Sequence, residues 1–356
     1  MSAKLKDKTA VANEGRPGKG LATAQPSRAR VVRFHKTGGP EVLVIEEVDL
    51  PPPGPNEVQI RIHALGLNRA ESMFRSGQYL EEPKLPGRPG YEAAGTVAAV
   101  GPAVKGFKIG EAVSVVPSFS LNEYGLYGDR ANVPATAVVH HLDTLSWVEA
   151  AAIWMQYLTA YGALIDIAAL QSGDTVLIPA ASSSVGLAAI QIANMVGAVP
   201  VALTRRSSKR QALLDAGATA VVATEEQDLV REVLQLTDGK GARVVFDPVG
   251  GPTVAKLTKA MAVAGILFIY GALSPEPTPL PVMDVLGRQL TVRGYVLLEI
   301  TNDPRRLKRA VRFVNKGLAK GQLKPIIAKT FPLDQIVEAH RFLESNQQFG
   351  KIVVTV

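Results

Sequence analysis

Apolar and polar residues first alternate with a period of two. Arg30 to Phe34 reads as a strand, Gly38-Gly39-Pro40 turns it, and Val42 to Val48 returns it. After the stiff connector Pro51 to Pro55, Val58, Ile60, Ile62 and Ala64 alternate with Gln59, Arg61 and His63. That pattern predicts a strand with one buried and one exposed face, and it makes His63 a surface histidine instead of a base or ligand. Strand-like pieces punctuated by Gly and Pro continue to Val113–Val116, so the first part is β-rich and not a βα repeat.

From Ser146 the period lengthens, and Val148 to Leu170 predicts helix. Residues 173–210 then read as strand, helix and strand: Thr175–Ile178, Leu187–Val196 closed by Gly197, and Val199–Leu203. The rhythm persists through a helix at 209–216, strand 220–222, helix 228–236, strand 244–246, a helix ending at Ala260 and strand 266–270. Such alternation predicts a doubly wound parallel sheet. Helices at 305–316 and 333–345 and strands at 326–331 and 351–356 close the chain, and the last strand is expected to return to the first domain.

The junction between strand 175–178 and its helix is a run of small residues, Ala180 to Ser184, then Val185 and Gly186. Laid on G-x-G-x-x-G, the key places are Ala181, Ser183 and Gly186, so only the last Gly is kept. Small residues there fit a pyrophosphate turn, and they equally fit a helix packed tightly on a sheet. The loop after the second strand weighs on the choice. Thr204-Arg205-Arg206-Ser207-Ser208-Lys209 holds cations and hydroxyls where an NAD site carries an acid, a composition that suits a 2′-phosphate and favours NADPH.

Composition narrows the classes. At 356 residues, 47% hydrophobic and 20% charged, the chain is long enough for two globular domains with large cores. No apolar run has membrane-spanning length, no secretory signal pattern is present, and a cytoplasmic protein is expected. The absence of cysteine removes disulfides, thiolate chemistry and cysteine–zinc sites. The net charge is +7, but residues 1–30 carry seven cations against two acids and so account for +5 of it. The folded body is therefore close to neutral, a nucleic-acid partner is not expected, and residues 1–28 are expected as a disordered basic tail. A mitochondrial presequence is the other reading of that tail; Asp7, Glu14 and the missing amphipathic stripe count against it.

The segments GLNRAESMFRSGQY (66–79), GYEAAGTVAAVG (90–101), WMQYLTAYGAL (154–164), AASSSVG (180–186), VVFDPVGG (244–251), YGALS (270–274) and FGKIVVTV (349–356) stand in an order that resembles the medium-chain dehydrogenase/reductase superfamily. Within it they are most similar to the zinc-independent, zeta-crystallin-like quinone oxidoreductases. The resemblance implies a GroES-like catalytic domain at 29–157 and 296–356 around a Rossmann NADPH domain at 158–295. Zinc dehydrogenases of this superfamily place Cys in the first segment and His before the Glu of the second. Here those places fall at Asn68 or its neighbours and at Tyr91, so no metal is expected, and Glu92 is expected as a buried structural acid.

By the same resemblance, Asn68 and Thr159 border the nicotinamide and Lys351 faces the cofactor. Gly250, Gly271 and Leu273 lie along the ribose and nicotinamide. Ser183, Ser184, Val185 and Gly186 hold the pyrophosphate, and Thr204, Arg205, Arg206 and Lys209 hold the 2′-phosphate. Tyr79 and Asn68 are the candidate catalytic groups, with a packing role for Tyr79 left open. His140, His141 and Asp143 lack a serine with a nucleophile motif, so a hydrolase triad is not expected. The expected activity is metal-free hydride transfer from NADPH to a quinone or an α,β-unsaturated carbonyl, in a homodimer paired through residues 264–285. Two alternatives stay open: an NADP(H)-dependent alcohol dehydrogenase or ketone reductase, and an NADPH-binding protein with little turnover that serves a structural or RNA-binding role.

Overall fold

In the computed structural model, which describes residues 27–356, the chain opens with β1 (Ser27–Arg33), β2 (Val44–Leu50), β3 (Glu57–Gly66) and helix α1 (Arg69–Ser76). Strands β4 (Glu92–Val100), β5 (Ala112–Val115), β6 (Arg130–Pro134) and β7 (Val138–Val139) follow, then short helices α2 (Trp147–Ala150) and α3 (Trp154–Tyr161). The alternating part runs β8 (Thr175–Ile178), α4 (Ser184–Met195), β9 (Val199–Thr204), α5 (Arg210–Asp215), β10 (Ala220–Ala223) and α6 (Leu229–Leu236). It continues through β11 (Ala242–Asp247), α7 (Val254–Lys259), β12 (Met261–Ile269), α8 (Val282–Gly287) and β13 (Thr291–Gly294). Helices α9 (Leu298–Thr301) and α10 (Pro304–Ala319), β14 (Ile327–Pro332), α11 (Ile336–Glu344) and β15 (Lys351–Thr355) complete the chain.

Strands β8 to β13 form one six-stranded sheet in the order β10-β9-β8-β11-β12-β13, every pair parallel. Helices cover both faces, which is why Val176, Leu177 and Ile178 form an unbroken apolar run with no accessible surface. The chain winds outward from β8 in one direction and from β11 in the other. The loops after those two strands therefore part and leave a crevice, the place where open α/β sheets bind ligands. A second, seven-stranded sheet has the order β14-β15-β3-β4-β5-β7, with β6 also paired to β3. Strand β15 lies antiparallel to β3, Val353 opposite Gly66, so the end of the chain returns to the first sheet as expected.

Four local expectations need correction. The predicted helix 148–170 is broken: α2 ends at Ala150, α3 starts at Trp154, and a π-helical turn occupies Gly162–Ile167. The backbone N–H groups of Trp154 and Met155 are taken by the Glu92 carboxylate, so α3 begins on a side chain from another sheet instead of continuing α2. Gln59 is buried, not exposed, because the 51–53 connector and Asn132 of β6 cover it; its amide donates to Asn132 Oδ1 at 3.1 Å. His63 is half-buried and stacks on Trp147 with ring centroids 4.5 Å apart. Of the expected tail at 1–28, residues 1–26 lie outside the described residues. Ser27 and Arg28 already belong to β1, opposite Leu50 and Asp49.

Candidate active site

The small-residue turn after β8 delivers the N-terminus of α4. Ser183 is its N-cap, with Oγ accepting the Gly186 N–H at 3.1 Å, so the helix starts three residues earlier than the apolar periodicity indicates. Ser184 and Val185 open the first turn, and Ala180 is held in the left-handed region at φ +49°. Gly186 has a steric reason: a Cβ there would stand 2.7 Å from the Cα and carbonyl oxygen of Ala181. This is the close helix–strand approach that the third Gly of the dinucleotide turn provides. The Ser183 hydroxyl keeps its proton for another acceptor.

The basic loop after β9 is less free than its composition suggests. Arg206 pairs with Glu225 at 3.0 Å, and the Ser207 N–H goes to Glu226, both acids arriving on the loop after β10. Lys209 spends its ammonium on Ser182 Oγ at 3.2 Å and on the carbonyls of Gln348 and Asn346 at 3.0 and 3.4 Å. Burial, and then the Arg205 charge, lower its pKa. Thr204 ends β9 with its carbonyl accepting the Thr224 N–H, while Arg205 is exposed with no side-chain partner among the described residues. Arg205 is thus the cation available to an incoming phosphate, and Lys209 ties this loop to the turn at Ser182.

Across the crevice, β11 ends in Asp247, whose carboxylate accepts the N–H groups of Val249 and Gly250 at 2.8 and 3.0 Å. Gly250 sits at φ +67°, and a Cβ on Gly271 would lie 2.7 Å from the Pro248 carbonyl, so the two loops pack backbone to backbone. Leu273 donates its N–H to the same carbonyl and leaves its side chain half-exposed. Burial lifts Asp247 to about 6 against those two donors. A carboxyl whose folded pKa is raised holds its proton longer when folded, so its stabilising contribution is complete below about pH 4 and is lost as pH rises through about 6. Asp247→Asn should therefore gain on wild type by about 2–3 kcal/mol between pH 4 and pH 7. Urea unfolding at both pH values reads this difference, and a gap that did not change with pH would contradict it.

Where the two sheets meet, residues far apart in sequence converge. Lys351, the first residue of β15, is fully buried and donates to Glu92 Oε2 and Asn68 Oδ1, each at 2.6 Å. The other Glu92 oxygen takes the Trp154 and Met155 N–H groups, fixing the start of α3, where Thr159 sits one turn on with its hydroxyl donated to the Met155 carbonyl. Gly66 makes the approach possible, because a Cβ there would stand 2.8 Å from both Glu92 Oε2 and Lys351 Cε. Asn68 also caps α1: its N–H goes to Glu71 Oε2 at 2.7 Å, and its amide nitrogen donates to the Gly66 carbonyl and Glu71 Oε1. Both amide donors of Asn68 are therefore committed to the protein.

Behind this cluster, Glu71 accepts from Asn68, the Tyr91 N–H and the Tyr127 hydroxyl. Burial pushes its pKa up; these donors oppose it and leave a proton on the carboxyl nothing to face. Since Tyr127 donates to Glu71, its oxygen accepts from His340 Nε2 at 3.1 Å, and burial lowers His340 to about 3 and keeps it neutral. Tyr79 stands apart from this network. Its ring lies edge-on to Tyr91, centroids 6.4 Å apart, and burial raises its pKa so the phenol stays protonated. His141 has a serine neighbour after all: its Nδ1 lies 2.9 Å from Ser114 Oγ. That serine is fully buried and donates to the Ala150 carbonyl, so the imidazole donates to it and does not act on it as a base.

The residues where zinc dehydrogenases bind metal do not fit zinc. Asn68, Tyr91 and Glu92 offer no thiolate or imidazole, and the ammonium of Lys351 lies within hydrogen-bond distance of the two oxygens that would turn to a cation. The nucleotide crevice does fit a dinucleotide, on its strand order, the capped α4 N-terminus and the cradle that a Cβ at Gly186 would fill.

A parallel sheet in this order, entered by a small-residue turn, is the architecture of a dinucleotide-binding domain, here joined to a β-rich domain. Family models agree: an alcohol dehydrogenase GroES-like domain matches residues 54–145 and a zinc-binding dehydrogenase domain matches 184–316. Human quinone oxidoreductase is 29% identical over 337 residues, covering 94% of this chain and 99% of that protein. The crystal structure of Escherichia coli quinone oxidoreductase complexed with NADPH is 31% identical, with a TM-score of 0.85 over 92% of this chain and 100% of that one. An NAD-dependent alcohol dehydrogenase structure is 34% identical, with a TM-score of 0.84 over 92% and 99%. The chain belongs to the medium-chain dehydrogenase/reductase superfamily, in its quinone oxidoreductase group, and is an NAD(P)-dependent oxidoreductase.

Proposed function

We propose that this chain is a metal-independent reductase that uses NADPH to reduce a quinone or the carbon–carbon double bond of an α,β-unsaturated carbonyl. The observation that carries the reading is the Lys351 ammonium held between Asn68 and Glu92, a fixed cation at the junction of the two sheets. When bound, NADPH supplies the hydride. The chain's own part is to hold the nucleotide, exclude water and meet the negative charge that forms on the acceptor oxygen. Asn68 is assigned to positioning Lys351, since its donors are spent. Tyr79, protonated and at the rim, is assigned to donate to that oxygen.

Ser183, Ser184, Val185 and Gly186 are assigned to the pyrophosphate, and Gly250, Gly271, Leu273 and Thr159 to the ribose and nicotinamide side. Thr204 and Arg205 are assigned to the 2′-phosphate, with Arg206 shared with Glu225 and Lys209 holding the loop to Ser182, Asn346 and Gln348. The division into a catalytic part at 29–157 and 296–356 and a nucleotide part at 158–295 belongs to the same reading. So does a homodimer: Leu280, Val282, Met283 and Leu286 are all more than half exposed, beside the edge strand β13. No helix among the described residues is long and apolar enough to cross a membrane, and a cytoplasmic location is proposed with the rest.

The test is NADPH and NADH oxidation against a quinone, an enone and a simple ketone. NADPH should be preferred over NADH by about 10- to 100-fold, the worth of one or two charge-assisted phosphate contacts, and Arg205→Ala should remove most of that preference. Equal use of NADH would overturn the cofactor assignment. Turnover on the ketone alone would favour the alcohol dehydrogenase alternative, and tight NADPH binding without turnover would make this a binding protein.

A further inference from the structure

Two segments without regular structure, 79–88 and 117–127, flank a series of aromatic rings that runs from Tyr79 to Tyr124. Tyr79 meets Tyr91, Tyr91 meets Phe119 at 5.7 Å, and Phe119 meets Tyr124 at 5.7 Å. The inner rings, Tyr91 and Phe119, are buried, while Tyr79 and Tyr124 at the two ends are only partly covered.

One acid joins the segments. Glu81 Oε1 accepts the Leu121 N–H at 2.9 Å, and Oε2 accepts the Ser120 hydroxyl and, at 3.2 Å, Asn122 Nδ2. Asn122 answers in the other direction: its Oδ1 accepts the Lys84 N–H at 2.7 Å and its Nδ2 donates to the Glu82 carbonyl at 2.9 Å. Tyr79 and Glu81 are two residues apart, as are Phe119 and Leu121, so this set of bonds lies directly beside the ring stack. The intervening Leu80 is 77% exposed, so little apolar burial holds the first segment in place. The Glu81 charge also adds to the burial that keeps the Tyr79 and Tyr91 phenols protonated.

We infer that Glu81 is a positioning residue: its carboxylate clasps segment 79–88 to segment 117–127, and the clasp holds the Tyr79 phenol in register with the acceptor and sets the width of the acceptor pocket. The inference rests on the reductase reading. It makes the pocket pre-formed for a small flat acceptor, which contacts too little protein to organise loose walls for itself. A larger fused-ring acceptor brings enough contact area to do so.

The test compares wild type, Glu81→Ala and Glu81→Gln in the full chain, with a one-ring and a three-ring quinone at saturating NADPH. Glu81→Ala should lower kcat for the one-ring quinone by about 10-fold or more and that for the three-ring quinone much less, with NADPH affinity unchanged. Glu81→Gln, which keeps the shape and one acceptor oxygen, should recover most of the loss. Hydrogen exchange supplies a readout apart from turnover: Glu81→Ala should speed exchange in 79–88 and 117–127 together. An equal loss on both quinones, no recovery with Gln, or faster exchange in one segment only would overturn the clasp. A wild-type protein that reduces neither quinone would instead overturn the reductase reading, and the exchange result would still decide whether Glu81 joins the two segments.

Discussion

Lys351→Met should destabilise the protein by about 3–5 kcal/mol, the cost of leaving one half of a buried ion pair without the other. Lys351 and Glu92 are both buried, and no solvent reaches the pair to screen the stranded carboxylate. The same substitution releases Asn68 Oδ1 and loosens the seat of Trp154 and Met155, so turnover should fall further than stability alone explains. Urea unfolding of Lys351→Met, Glu92→Gln and the double variant checks the account. The double variant should be more stable than Lys351→Met, because a neutral pair leaves no uncompensated charge. Additive losses would show that the two side chains act independently.

Gly186→Ala carries the second large effect. The added methyl would meet backbone on three sides, at 2.7 Å from the Ala181 Cα and oxygen and 2.8 Å from the Ala180 oxygen, and no flexible side-chain end is there to yield. Overpacking of this kind costs about 1–3 kcal/mol, and the better helix propensity of Ala returns at most about 1 kcal/mol. The N-terminus of α4 should move away from β8, and NADPH affinity should drop by at least about 10-fold, since backbone N–H groups and the helix dipole act only at close range. Gly287→Ala is the control, because a Cβ there meets nothing within 4 Å. Calorimetric binding of NADPH to both variants separates the outcomes, and equal affinities would remove Gly186 from the nucleotide site.

The architecture was legible because its signals are local. Thr175–Ile178 and Val199–Leu203 are runs whose length and bounding glycines specify buried strands, and both form within one residue of the predicted bounds. Helix α1 went unpredicted, although the capping pair Asn68 and Glu71 and Gly77 in the left-handed region mark its two ends in the sequence. What stayed hidden depends on contacts between distant positions. Nothing near residue 92 shows that Glu92 will take the first N–H groups of α3, or that Lys351 will reach it from the last strand. Arg206 looked available because Glu225 comes from the next loop, and Lys209 because the carbonyls it meets belong to residues 346 and 348. The small residues of the turn were readable as candidates; the steric need for Gly186 was not, since it is a distance to backbone on another element.

On the proposed reading Lys351, held between Asn68 and Glu92, is the fixed cation of the site, and reduction needs no metal. The direct measurement is the rate of NADPH oxidation by a quinone before chelation, after exhaustive chelation, and after zinc is added back. The same rate is expected in all three conditions, and a rate lost on chelation and restored by zinc would overturn the metal-independent reading.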